Sequence, residues 1–217
     1  MAKERKNNGP ADVTRDSFVY RLTALIGKWF LVSLLIWLCS IPVFTAGTAY
    51  CAALAVTRQD YPDLRMIFGS YFSHFSACFK KTAGVFLLVI ALILLQVLNL
   101  SFYSRFLEPG TAVYYAVMGI VLLLILAVVS IFRFYCFEVT LDAPLTFKQR
   151  LLRALSRMMR CLPAAGVLAL ADIVLIATTA GAPVVIPVLL IYPGFHAFLT
   201  CLLITWFEGR RGREDQR

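Results

Sequence analysis

The stretch from Val85 to Leu100, VFLLVIALILLQVLNL, carries no charge and only two polar side chains, Gln96 and Asn99. With its flanks it runs from Thr82 to Tyr103. Coiled as an α-helix at about 1.5 Å per residue, that length covers the ~30 Å of hydrocarbon in a bilayer. Four further apolar regions follow the same rule: Leu22 to Ile41, Thr111 to Phe137, Cys161 to Ala180 and Pro187 to Phe207. In lipid every backbone polar group must find its partner inside the segment, so these regions are predicted as helices. The alternating ten-residue segments of a membrane β-barrel are absent.

The composition agrees, with 60% hydrophobic against 15% charged residues in 217. The net charge of +9 sits in clusters between apolar runs, as membrane-flanking charge does, and no nucleic-acid-binding motif accompanies it. Six cysteines are scattered singly (Cys39, Cys51, Cys78, Cys136, Cys161 and Cys201), the pattern of small apolar fillers rather than of metal ligands or disulfides. No small-x-small cleavage site follows Thr45, so the first apolar segment is expected to be retained. The expected fold is a single all-α domain over residues 1–217. It is a polytopic helical membrane bundle with five to six membrane-embedded helices plus two amphipathic helices on the cytoplasmic side. Membrane helices are expected at 82–103, 111–137, 161–180 and 187–207, with a broken helix or hairpin at 22–57. Polar basic tails are expected at 1–17 and 208–217.

The amphipathic helices are expected at 63–81 and 144–160. The second reads PLTFKQRLLRALSRMMR, with Phe147, Leu151, Leu155 and Met158 on one face and Arg150, Arg153, Arg157 and Arg160 on the other. In the first, Leu64, Phe68, Phe72, Phe75 and Phe79 form the apolar stripe. Displaced by 82 positions, Asp60-x-Pro62 falls on Asp142-x-Pro144, and Ala83-Gly84-Val85 falls on Ala165-Gly166-Val167. Each copy therefore reads D-x-P, an amphipathic helix, then A-G-V opening a membrane helix. Proline suits a first helical turn and aspartate suits a helix N-terminus, so the repeated turn is expected to start each helix. Both copies are expected to face the same side.

Positive charge gives the orientation. Arg58, Arg65, Lys80 and Lys81 border the first amphipathic helix, five basic residues mark the second, and Arg210, Arg211, Arg213 and Arg217 close the chain. Pairs of crossings separate these clusters, so all three are expected to be cytoplasmic, with the C-terminus. The segment CSIPVFTAGTAY, Cys39 to Tyr50, then matters most for topology. A single crossing there would put Lys3, Arg5, Lys6, Arg15 and Arg21 outside. A chain that turns back near Pro42 to Gly47 keeps the N-terminus cytoplasmic, but leaves a returning arm too short to cross, Thr48 to Thr57. Such an arm requires shielding by protein. The broken hairpin is the favoured expectation, and one kinked crossing is its alternative.

Polar groups inside the spans are the first place to seek function. Asp172 and His196 lie at equal sequence distance from the turn between their helices, near Gly181 to Pro187, so antiparallel packing brings them to matched depth. They are the candidate pair, either as a packing bond or as a proton-handling pair. Tyr192-Pro193-Gly194 is expected to loosen the last helix. Arg133 and Lys28 are expected to snorkel to the headgroups, Gln96 and Asn99 to bond between helices, and His74 to be solvated. The chain has no G-x-S-x-G, no H-E-x-x-H, no phosphate-cradling glycine loop and only two histidines. An enzyme is the least favoured class, and no cofactor or metal is expected.

The string WLCSIPVFTAGTAYCAALAV, followed by FGSYFSHFSACFKKTAGVFLL, resembles the YesL-like family of bacterial integral membrane proteins. Trp37, Leu38, Pro42, Val43, Thr45, Gly47, Ala49, Phe75, Phe79 and Lys80 carry the resemblance. It implies a chain of this length and number of spans, with no catalytic residue to carry over. It also implies an accessory part in carbohydrate uptake in the bacterial cytoplasmic membrane. The expected function is therefore a non-enzymatic accessory or scaffold factor, with the lipid bilayer and sugar transporter subunits as partners and no nucleic acid. The alternative is a small transporter or channel using the broken first hairpin and the Asp172/His196 pair.

Overall fold

The computed structural model describes residues 18–59, 64–108, 110–141, 143–179 and 185–214, and among them there is no strand. Seven α-helices follow in order: α1 Phe18–Cys39, α2 Ala46–Arg58, α3 Leu64–Phe106, α4 Ala112–Val139, α5 Phe147–Arg160, α6 Leu162–Thr179 and α7 Val185–Glu214. A 3-10 turn, Val43–Thr45, separates the first two.

The short helix α2 is the centre of the bundle. Its sequence, AGTAYCAALAVTR, is nearly all small residues, and Ala49, Cys51, Ala52, Ala53 and Leu54 have no solvent exposure. Small side chains let neighbouring helices approach closely, and α1, α3, α4 and α7 all pack against α2. Gly47 shows how closely: a Cβ there would run into the ring of Phe86 on α3.

The chain does double back between α1 and α2. Pro42 is extended, with φ −77° and ψ 112°. The Thr45 hydroxyl closes the break by donating to the carbonyls of Cys39 and Pro42. Leu25, Lys28, Trp29 and Val32 of α1 share one pocket with Val56, Thr57, Arg58 and Gln59 at the far end of α2. The two helices are therefore antiparallel. The thirteen residues of α2 span only about 20 Å, short of a bilayer core, and nine of them, between Gly47 and Val56, are buried in protein.

Two sequence expectations merge in α3. The amphipathic segment 63–81 and the membrane helix 82–103 were expected as separate elements, but Leu64–Phe106 is one helix of 43 residues. At 1.5 Å per residue it is about 64 Å long, twice a hydrocarbon core. The repeat therefore does not extend to three dimensions. Its second copy bends by 88° between α5 and α6, at Cys161, whose backbone (φ −105°, ψ 33°) leaves the helix. The reason is readable in the aligned residues: Pro163 lacks an N–H and restricts Leu162, whereas Lys81 stands at the matching place in α3. Of the two D-x-P turns only Pro144 falls among the described residues, and it stands three residues before the first residue of α5 rather than in its first turn. Asp60, Pro62 and Asp142 lie outside the described residues, and Pro144 is in a non-helical stretch. The α5 N-terminus is capped two residues later, where the Thr146 N–H donates to Gln149 Oε1 at 3.1 Å.

Among the described residues two helices, α3 and α4, are long and apolar enough to cross a membrane, or three if the bent α5–α6 pair counts as one span. That is fewer than the five to six expected. The described apolar part of α1, Leu25–Cys39, is shorter, and α2 is shorter still. Gly110, with φ +93°, turns the chain into α4, where Thr111 Oγ1 accepts from the Tyr114 N–H at 3.2 Å. The last helix runs on through Pro193 to Glu214, so most of the expected tail 208–217 is helical. Residues 1–17 and 215–217 lie outside the described residues.

One end of the molecule is tied by charge. Arg157 of α5 pairs with Glu138 of α4 at 3.2 Å and with Glu208 of α7 at 2.9 Å. Arg58 at the end of α2 donates to the Thr140 carbonyl and hydroxyl, each at 3.0 Å. The guanidinium groups of Arg58 and Arg157 both lie over the Phe137 ring, 5.3 and 5.1 Å from its centre.

Candidate functional site

Inside the bundle, four helices contribute to one polar cluster. Arg133 comes from α4, Asp172 from α6, Tyr192, His196 and Thr200 from α7, and Tyr50 from α2. Each element is otherwise apolar around its polar member, so these groups have little but one another to bond.

Arg133 and Asp172 meet as an ion pair. Nη1 lies 2.6 Å from Oδ2, and Nη2 donates to Oδ1 at 2.8 Å. Their side chains are 11% and 14% exposed. One charge-assisted hydrogen bond, from Nη2, and a second close ion-pair contact, from Nη1, join the two groups. Tyr192 also donates to Asp172 Oδ1, at 2.7 Å. The expectation that Arg133 snorkels to the headgroups is overturned: its guanidinium turns inward to the carboxylate. The physical reason is that a counter-ion lies within reach of the guanidinium.

The structure brings Asp172 and His196 together, with His196 Nε2 3.7 Å from Asp172 Oδ1. That separation is too long for a direct hydrogen bond, and Nε2 is buried without one. On its other side, Nδ1 lies 3.1 Å from the Tyr50 hydroxyl, which also meets Thr200 Oγ1 at 3.0 Å. Thr200 donates back to the His196 carbonyl at 2.8 Å. The imidazole is 3% exposed and flanked by the rings of Tyr50 and Tyr192, 6.0 and 5.4 Å away.

Beside the cluster, Tyr192-Pro193-Gly194 does not end the helix. The Gly194 N–H donates to Ser33 Oγ of α1 at 2.8 Å, and Ser33 donates to the Ile191 carbonyl at 2.9 Å. Ser33 thus serves the backbone where Pro193 disturbs it. Gly194 is required, because a Cβ there would strike the Trp29 carbonyl and Ser33.

The residues that carry the family resemblance do not gather into one site. Pro42, Thr45 and Gly47 build the hairpin turn and its contact with Phe86. Trp37 is half exposed on α1. Phe75 and Phe79 continue an aromatic ladder along α3, with centroids 6.3 Å apart, and Lys80 is exposed beside them. His74 is near Gln59, 3.4 Å away.

Sequence reasoning missed Tyr50, Tyr192, Thr200 and the inward turn of Arg133. Only for Arg133 was there a signal. Within the predicted spans Asp172 is the one carboxylate, so an intramembrane arginine had one natural partner. Chemically the cluster is a neutralised ion pair with an imidazole at its edge. It can hold α4, α6 and α7 in register, and the imidazole has one nitrogen not engaged by a hydrogen bond. No group of three or more His, Cys, Asp or Glu side chains among the described residues is placed to hold a metal ion.

No family model, curated protein or solved structure matches the chain.

Proposed function

We propose that this chain is a non-enzymatic multi-pass protein of the bacterial cytoplasmic membrane, acting as an accessory or scaffold factor in carbohydrate uptake. The observation that carries the reading is the Arg133–Asp172 ion pair, with contacts of 2.6 and 2.8 Å, which engages two intramembrane charges with each other. A scaffold needs helices held in one arrangement, and an ion pair joining α4 to α6 does that. The link to carbohydrate uptake rests on the resemblance to the YesL-like family.

In this reading α1, α2, α3, α4, α6 and α7 are all membrane-embedded, with α2 as the short returning arm of a re-entrant hairpin. Support comes from large apolar side chains left exposed on the shorter helices, such as Leu34 on α1, Leu170 on α6 and Leu202 on α7. The end bearing Arg58, Arg157 and Glu208 faces the cytoplasm, with both chain termini. The test is purification from bacterial membranes in mild detergent after brief crosslinking. A sugar-transporter subunit should be recovered in fixed ratio with the chain. Recovery of the chain alone, at every crosslinker dose, would overturn the accessory role.

One observation favours a second reading, a small transporter or channel. His196 Nε2 is buried without a hydrogen bond beside a carboxylate, a place where a proton can be taken up or released. Proton or solute flux through proteoliposomes, abolished by Asp172→Asn, would establish it. Flux unchanged by that substitution, or none, removes it.

A further inference from the structure

The helix α5 divides its apolar side chains between the bundle and the outside: Leu151 and Met158 are half-buried, Met158 against the core, while four others are left open. Its buried residues are Arg150 and Ala154, with Arg157 half turned in to reach Glu138 and Glu208. Phe147 is 51% exposed, Leu152 57%, Leu155 41% and Met159 62%. At 100° per residue the surface of α5 divides into three sectors. Arg150, Ala154 and Arg157 form the sector against the bundle. Leu152, Leu155 and Met159 form a second, open apolar sector, which Lys148 joins at its N-terminal end. Arg153, Ser156 and Arg160, all exposed, form a third that is polar.

We infer that α5 is a lipid-binding helix that lies in the bilayer interface and prefers anionic headgroups. It rests on the reading of the chain as a membrane protein. Three observations say that the bilayer, rather than another protein, covers the apolar sector. First, α5 meets α6 at 88°, so if α6 runs across the membrane, α5 lies along its surface. Second, the apolar sector does not stop at the corner. It continues through Leu162, 57% exposed, to Val167 and Leu170 on α6, 50% and 64% exposed, which is the surface a membrane helix shows to acyl chains. Third, charge is complementary. Lys148, Arg153 and Arg160 are exposed along α5, which has no acidic residue, while Glu138 and Glu208 are held by Arg157. Apolar side chains enter the acyl boundary and the flanking cations reach lipid phosphates, the arrangement of an interfacial amphipathic helix.

The test uses the full chain reconstituted in nanodiscs, with a fluorophore at a single introduced cysteine and the unsubstituted chain as the background control. Quenching is measured with brominated phosphatidylglycerol and with brominated phosphatidylcholine at equal mole fraction. A label at Met159→Cys should be quenched by bromolipid, and a label at Ser156→Cys should be reached instead by a water-soluble quencher. Quenching at Met159→Cys should be stronger with the anionic lipid. Replacing Lys148, Arg153 and Arg160 together by glutamine should erase that difference, since each cation near an anionic surface changes local lipid preference by roughly fivefold. A label at Leu170→Cys reports on the membrane reading itself: if bromolipid fails to quench it, that reading falls. If Leu170→Cys is quenched and Met159→Cys is not, only the interfacial helix is overturned, whether water or a protein covers it. Equal quenching by both lipids overturns the anionic preference.

Discussion

At the scale of single residues, the most consequential feature is a charge that turned away from water. Arg133 pairs with Asp172 inside the bundle, and removing either partner leaves the other charge desolvated and without its counter-ion. Arg133→Met or Asp172→Leu alone should cost about 3–5 kcal/mol. The double substitution should recover most of that loss, because an apolar pair of similar volume needs no counter-ion. Thermal melting of the three variants in detergent checks this, and an additive double variant would show that the two charges are not coupled. Gly194→Ala should destabilise by about 1–3 kcal/mol, because the added methyl meets the Trp29 backbone carbonyl, which cannot swing aside as a side chain can. Gly119→Ala, where a Cβ meets nothing, is the matched control and should melt no lower than the parent. The contact of Ser33 with Gly194 is not visible along the sequence, and that of Arg133 with Asp172 left only the hint of a single available carboxylate, since both pairs meet only after the helices pack.

At the scale of elements, the two copies of the repeat part company at one position. Pro163 allows the corner between α5 and α6, and Lys81 allows α3 to run straight. Lys81→Pro should therefore break α3, removing a helical hydrogen bond and clashing with the preceding turn, at a cost of about 3 kcal/mol or more. Loss of helical ellipticity together with a lowered melting temperature would be the signature, and an unchanged melt would mean that α3 is already interrupted there. The hairpin of α1 and α2 makes the opposite point. Its break was legible, because Pro42 and Gly47 frame it. The burial of the returning arm was also legible as a requirement, since a half-length helix in lipid needs protein around it. What the sequence did not show was which helices would provide it. They turned out to be α1, α3, α4 and α7, gathered around a row of alanines.

At the scale of the whole molecule, the contacts of Arg58, Arg157, Glu138 and Glu208 join the ends of α2, α4, α5 and α7 at one pole, and the α3–α4 connection lies at the other. With that pole cytoplasmic, a cysteine placed at Glu108 should react with a membrane-impermeant thiol reagent on intact spheroplasts. One at Ser156 should react only after permeabilisation. The reverse pattern would invert the proposed orientation without altering the fold.

Hydropathy and helical period by themselves determined that this chain is helical, apolar and broken near Pro42, because those properties depend on near neighbours along the chain. They also brought Asp172 and His196 into consideration together, because distance from a shared turn is a local count. The tertiary structure alone decided that Arg133 completes that site, that α3 is continuous and that α5 leaves part of its oily side open. Each of these depends on which surface of a helix finds a partner across space, and an amphipathic pattern specifies the faces without saying which of them will be covered.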